Sequence, residues 1–253
     1  MTAAHPLYRP EPSAVHRAPA EVKIAALLLF VAAVVATPGG ALWPFAVYAV
    51  LVAATWRAAQ LRWRWVLPRM LIETPFVVLA VLLPFAEGGE RVTVAGASLS
   101  VAGLYAAWAI VAKGTVGVGA SLAVAATTSA RELPVGLSRL GVPPLMTSIL
   151  TVALRYVDVL AAEAARMRIA RLSRGDSPRA LHQAAAVGHS VGTLFLRSYE
   201  RGERVHLAML SRGFDGRIPQ LGGPPRASLR QWLLAMIPAA AAASTAAAAW
   251  VTA

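Results

Sequence analysis

There is no cysteine in the chain, which at once excludes disulfide frameworks, thiolate metal sites and cysteine nucleophiles. Charge is scarce too. Only 14% of the residues are Asp, Glu, Lys or Arg, where ordinary soluble domains hold about a quarter. Acid is scarcer than base, with 12 carboxylates facing 24 lysines and arginines. On its own such an excess suits nucleic acid, anionic lipid or an acidic protein. Nucleic-acid readers pair it with a recognisable helix, finger or stacking platform, and the sequence carries none, so no nucleic-acid partner is expected. What fills the chain is apolar: 57% of its 253 residues are hydrophobic, at a mean hydropathy of +0.59. Long stretches carry almost no charge while others hold an arginine every three or four residues, the asymmetry that a bilayer imposes.

Apolar stretches run over 24–36, 41–56, 71–85, 99–130 and 229–251. Several are shorter than the roughly 20 residues of a full crossing, but their succession with so little charge favours membrane spans. The first twenty residues are polar and proline-rich, so the first stretch reads as a span and not as a removed leader. Thr37-Pro38-Gly39-Gly40 turns the first pair into a helical hairpin. Arg57, Arg62, Arg64 and Arg69 fall between the second and third stretches, and Arg9, Arg17 and Lys23 precede the first, which places both regions in the cytoplasm. Trp56, Trp63 and Trp65 beside the arginines read as interface anchors. The connection with Glu87, Glu90 and Arg91 fits the outside. The 99–130 stretch reads as one long span kinked near Lys113 and its glycines, or as two short ones. Parity favours one, because four spans return the chain to the cytoplasm where its most arginine-rich region begins. The fold class is therefore an all-α integral membrane protein of about five transmembrane helices with a cytoplasmic module of two or three amphipathic helices. Its parts are a cytoplasmic N-terminal segment 1–23, helices 1–4 within 24–130, the module 131–228 and a final helix 229–253.

From Arg131 to Arg230 there are 15 arginines against 7 carboxylates, yet apolar residues still recur at helical spacing. Leu133-Pro134 and Val142-Pro143-Pro144 break the chain, and a helix is predicted over 145–174. A second starts at Ser177-Pro178, with Ser as N-cap and Pro in the first turn, and runs to Arg212, with a break at Gly188 or Gly192 left open. The most informative feature is an internal repeat. Arg166, Ala170, Leu172, Ser173, Arg174 and Gly175 recur, 38 residues on, as Arg204, Ala208, Leu210, Ser211, Arg212 and Gly213. Each copy sits at a predicted helix end, where Gly past the last turn enters the left-handed conformation cheaply. An arginine there has a bland reading as a complement to the helix dipole. Two copies fit better a pair of cationic knobs that dock into equivalent grooves of a two-fold partner, where a guanidinium fork bonds a carboxylate in two places.

These residues resemble the T component of energy-coupling factor (ECF) transporters, and within it the cobalt transport permease type, CbiQ. Arg155-Tyr156 with Asp158, then Glu163-Ala164-Ala165-Arg166-Met167 and Ser173-Arg174-Gly175, are similar to the family's first coupling block. Arg201 with Glu203-Arg204-Val205, then Ala208-Met209-Leu210-Ser211-Arg212-Gly213-Phe214, is similar to its second, more specific block. The family signature is Ala-Arg-X, whereas both copies here read Ser-Arg-Gly. Ala170-Arg171-Leu172 spells the signature one turn early, so Arg174 is assigned the docking role and Arg171 stands as the alternative. The resemblance implies a bacterial, multi-pass subunit of the cell membrane that joins two ABC ATPase subunits to a substrate-capture membrane subunit. It implies cobalt or nickel as cargo, with a vitamin as the alternative. ATP is used by the ATPases, the metal is held by the capture subunit, and this chain binds no cofactor and is no enzyme.

Other features weigh less. His5, His16, His182, His189 and His206 include one pair seven apart, but no third ligand joins it, so packing or surface histidines are the expectation. For Glu73, a surface salt bridge with the arginine loop is expected. Lys113 is read either as part of a substrate pathway or as an interhelical partner. Gly114, Gly117 and Gly119 suit close helix packing, not phosphate binding. The rival from another class is a membrane-bound transferase or phosphatase acting on lipid head groups. Against it, the arginines recur at helix ends instead of converging on an acid or base.

Overall fold

The computed structural model describes residues 7–86, 91–94, 97–175, 184–218 and 225–252. They form two compact units, Gly141–Gly223 in one and Ala4–Leu140 with Pro224–Ala253 in the other. The second unit is a helical bundle. Its helices are α1 (Ala14–Arg17), α2 (Ala20–Ala36), α3 (Trp43–Ala58), α4 (Trp63–Met70), α5 (Thr74–Ala86), α6 (Val101–Thr127), α7 (Leu133–Arg139) and α10 (Leu229–Thr252). The first unit holds α8 (Pro144–Ser173) and α9 (Ala184–Leu210). Among the described residues four helices are long and apolar enough to cross a membrane: Trp63–Phe85, α6, α8 and α10. α2 and α3, at 17 and 16 residues, sit at or just under the short end of the roughly 17–25 that a crossing takes. The chain is a multi-pass, all-α integral membrane protein.

Local chemistry shifts several expected boundaries. The third span starts at Trp63, not at residue 71, so Arg64 and Arg69 ride on α4 and the loop shrinks to four residues. Pro68 and Pro75 lack the N–H groups a straight helix uses, and a single 3-10 turn, Leu71–Glu73, joins α4 to α5. The fourth span is one helix without a break. It starts at Val101, because Leu99 belongs to a hairpin of strands β1 (Arg91–Val94) and β2 (Ala97–Ser100) that the sequence reading missed. Ser100 ends β2 and caps α6, accepting from the Gly103 N–H at 3.3 Å. Leu133-Pro134 opens α7 instead of breaking the chain, since Pro is tolerated in a first turn. α9 passes through Gly188 and Gly192 unbroken. Its expected start at Ser177-Pro178, and Glu87 and Glu90, lie outside the described residues.

The bundle core is small and aromatic on one side, alanine-rich on the other. Phe30 and Val34 of α2, Phe45, Tyr48 and Val52 of α3, and Ala112 and Val116 of α6 pack against Ala239, Ala242 and Ala246 of α10. The alanines recur every three or four residues and let the α10 backbone come close. Tyr48, fully buried, shares a 2.7 Å hydrogen bond with Thr37 Oγ1 and donates to the Ala242 carbonyl at 3.4 Å. Large apolar side chains meanwhile cover the outside: on α5, Phe76, Val78, Leu79, Val81, Leu82 and Phe85 are all more than half exposed. Water would not tolerate such a face, and lipid does.

Charged residues inside apolar helices are used as caps. The last four carbonyls of α2 all find donors: Thr37 Oγ1 on Ala33 at 2.9 Å, Thr37 N on Val34 at 3.3 Å, Lys113 Nζ on Val35 at 2.9 Å and Trp250 Nε1 on Ala36 at 2.8 Å. At the end of α6, Lys23 Nζ bonds the Thr127 carbonyl at 2.7 Å and Arg9 N bonds that of Ala126 at 3.0 Å. Each lysine thus sits at a neighbour's negative dipole end. Lys113 is an interhelical partner in this structure. Glu73 does not pair with the arginines either; among the described residues it accepts from Thr115 Oγ1 through both oxygens, at 3.2 and 3.0 Å. Replacing Lys113 with Met is expected to cost about 1–2 kcal/mol, because one carbonyl loses its donor where water is scarce. Thermal unfolding in detergent measures this, and Lys113→Arg should retain most of the stability.

Candidate functional site

The repeat is reproduced bond for bond. At the end of α8, Arg174 N bonds the Arg171 carbonyl at 3.0 Å and Gly175 N bonds that of Leu172 at 3.1 Å. Past α9, Arg212 N bonds the Met209 carbonyl at 3.0 Å and Gly213 N bonds that of Leu210 at 2.9 Å. Ser173 Oγ donates to Ile169 O at 3.1 Å and Ser211 Oγ to Leu207 O at 3.0 Å. Every pair is again 38 residues apart. Gly175 and Gly213 take φ of +86° and +81°, the left-handed conformation that closes a helix and turns the chain away. Phe214 N reaches back to the Met209 carbonyl at 3.0 Å and completes a Schellman motif in the second copy.

Such an end leaves one side chain projecting from the last turn. It is Arg174 in one copy and Arg212 in the other, and both are exposed. Arg171 is half-buried, and its counterpart 38 residues on is Met209. A Cβ on either glycine would meet open space, so backbone conformation alone demands glycine there. Gly213→Ala and Gly175→Ala are each expected to weaken their helix end by about 1 kcal/mol. The check is amide exchange, which should quicken over Met209–Phe214 in the first variant and leave α8 unchanged.

Between the ends the two helices are joined by charge. Glu163 accepts from Arg166 Nη2 at 2.6 Å within α8 and from Arg197 Nη1 of α9 at 3.0 Å. Arg204 lies 3.9 Å from Glu200 on α9. Arg155, Asp158 and Glu203 are exposed. The chain after α9 folds back onto the start of α8, where buried Ser148 donates to the Gly216 carbonyl at 3.2 Å and accepts from Ile218 N at 3.1 Å. This return closes an apolar cleft of about 490 Å³ whose walls include Leu145, Ile149, Tyr156, Val205, Met209 and Phe214. Met209 and Phe214, named from the sequence, are thus brought together against α8. Ser148 and the cleft were missed, although Leu145, Ile149 and Val152 already mark one apolar face of a helix.

Fold and site define a multi-pass helical membrane protein with a basic module of paired, arginine-capped helix ends. The family model described as cobalt transport protein, CbiQ, matches residues 11–221, and the chain belongs to that family of transporter components. Among its relatives, the Cobalt transport protein CbiQ of Rhodobacter capsulatus is 33% identical over 108 residues, 42% of this chain and 43% of that protein. Two uncharacterized proteins of Methanocaldococcus jannaschii are each 31% identical, one over 42% of this chain and 39% of its own length, the other over 38% and 33%. The chain therefore spans 33–43% of the length of these relatives.

Proposed function

We propose that the chain is the transmembrane coupling subunit of an ECF-type ABC importer for cobalt, seated in the cell membrane with its N-terminus and the α8–α9 module in the cytoplasm. α8 is long and apolar enough to cross a bilayer, but from Arg155 onward it carries Asp158, Glu163, Arg166, Arg168 and Arg171, which suits a cytoplasmic helix better than a span. The observation that carries this reading is the duplicated helix end, with the same hydrogen-bond ladder, the same left-handed glycine and one exposed arginine in each copy. Two equivalent cations suit two equivalent grooves, hence a pair of ABC ATPase subunits. Each helix end is closed by a left-handed cap, and Glu163 of α8 bridges to Arg197 of α9, which supports the two helices moving together. Closure of the ATPases on ATP would then move both arginines and shift α8 and α9 against a substrate-capture membrane subunit. This chain performs no chemistry and holds no cofactor; ATP is bound and hydrolysed by the partners. Membership of the cobalt transport protein family supports the cargo.

The test is co-expression of the tagged chain with candidate ATPase and capture subunits, followed by purification and cobalt uptake. Retention of both subunits, with uptake that requires this chain, is the expected result. A chain that retains no ATPase overturns the reading. Cobalt-independent turnover of phospholipid by the purified chain would move a membrane enzyme ahead of it.

A further inference from the structure

A second basic site lies at the end of the hairpin formed by α3 and α4. α3 ends in a Schellman motif, with Gln60 N on the Arg57 carbonyl at 3.0 Å and Leu61 N on that of Trp56 at 2.9 Å. The left-handed position is filled by Gln60 at φ +56°, a conformation that costs a non-glycine residue energy. The turn so fixed places Arg57, Arg62 and Arg64 around one concavity of about 360 Å³, floored by Trp56 and edged by Trp63. Trp56 cannot swing away, because its indole N–H donates to the Gly119 carbonyl at 2.9 Å. None of the three arginines has a carboxylate partner among the described residues. Converging cations without counter-ions repel one another unless an anion sits between them.

Two independent features say what kind of anion. α4 begins at Trp63 with no side-chain cap, so the positive end of its dipole and its free N–H groups open at the same place. From that rim an apolar track runs along α4 and into the 3-10 turn after it: Trp63, Leu67 and Leu71 are all more than half exposed. An inorganic anion would use the arginines and ignore the track. A ligand with a phosphate at one end and hydrocarbon at the other uses both, and arginines with tryptophans at the end of a membrane helix stand at headgroup depth. The volume is at the small end of the roughly 300–1,000 Å³ of ligand clefts, suited to a headgroup and not to a whole lipid. We infer that Arg57, Arg62, Arg64 and the start of α4 form a headgroup site for an anionic phospholipid, whose acyl chains lie along Trp63, Leu67 and Leu71.

The test titrates the delipidated full chain in detergent with phosphatidylglycerol or phosphatidylcholine of the same acyl chains, counting bound lipids by native mass spectrometry. Wild type is expected to prefer phosphatidylglycerol. Each arginine near a membrane surface contributes about fivefold, so Arg57→Gln with Arg62→Gln and Arg64→Gln should lose on the order of a hundredfold. The corresponding triple lysine variant should keep the preference, which a folding defect would not allow, and Arg226→Gln should bind as wild type does. Equal binding of both lipids, unchanged binding by the glutamine variant, or the same loss in Arg226→Gln overturns the assignment. Displacement by glycerol 3-phosphate at lipid-like concentrations would mark a small-anion site and overturns it too.

Discussion

Arg174→Ala together with Arg212→Ala is expected to strip the ATPase subunits from the purified chain while leaving it in the membrane. Both side chains are exposed and neither holds the module together, so their loss should not unfold α8 or α9. An arginine that fills a groove at the centre of an interface is a typical hot spot, and truncating one costs roughly thirtyfold in affinity. With two equivalent grooves the losses multiply, to about a thousandfold for the pair. Arg212→Ala alone should sharply reduce co-purified ATPase, and Arg226→Ala should change nothing. Arg171→Ala separates the two candidate signatures. If Arg174 docks, the Arg171 variant keeps its ATPases; if Arg171 docks, the Arg174 variant does. Full retention by the Arg174, Arg212 double variant would make both residues ordinary helix caps.

Glu21→Leu should be the most destabilising single change in the bundle. Glu21 is 4% exposed, in the first turn of α2, with one oxygen 2.8 Å from Arg139 Nη1 and the other accepting from Ala227 N at 2.8 Å. Arg139 Nη1 also bonds the Pro225 carbonyl at 3.2 Å. Leu140 and Pro224 bound the bundle where the chain leaves for the other unit and where it returns, so this one carboxylate fastens both roots to α2. Removing it takes the carboxylate from the half-buried Arg139 guanidinium and the side-chain acceptor from the half-buried Ala227 N–H, a change that costs about 2–3 kcal/mol. The unfolding midpoint, followed by tryptophan fluorescence in detergent, should fall by on the order of 10 °C. Glu21→Gln keeps an acceptor for Ala227 N and should lose less. If roots held at a fixed spacing matter for coupling, Glu21→Gln should also lower cobalt taken up per ATP hydrolysed while ATPase binding persists.

Much of the bundle was legible because a bilayer leaves a coarse signature. Long uncharged runs separated by arginine clusters fix which segments are helices, and the helical hairpin at Pro38-Gly39-Gly40 and the helical module followed from the same patterning. The duplicated Ser-Arg-Gly ends were legible as well, since a left-handed cap needs glycine and the preceding residue must then be the last to project. What stayed hidden were contacts between segments distant in the chain. Lys113 had two readings and Glu73 was assigned to the arginine loop, because a lone charge in an apolar run names no partner. Their partners, Val35 and Thr115, lie 78 and 42 residues away. The β1–β2 hairpin was missed because two strands of four residues are too short for an alternation to stand out beside a long span. The start of the third span was misplaced because arginines were taken to mark a loop, whereas on α4 Arg69 lies with its guanidinium 4.0 Å from the Trp65 ring centre and its Nη1 on the Trp65 carbonyl.

By itself, then, the sequence determined the class of the protein, the presence of several long apolar helices and the two arginine-bearing helix ends, because each of these is set by composition or by bonds spanning a few residues. Only the tertiary structure decided that Lys23 and Lys113 cap each other's helices, that Glu21 ties both roots of the module, that Ser148 closes the return after α9, and that three arginines, without a carboxylate partner among the described residues, share one concavity with tryptophan. Those are meetings of side chains from different elements. Residue spacing along one helix says which groups share a face, and the packing of one helix on another says what that face meets.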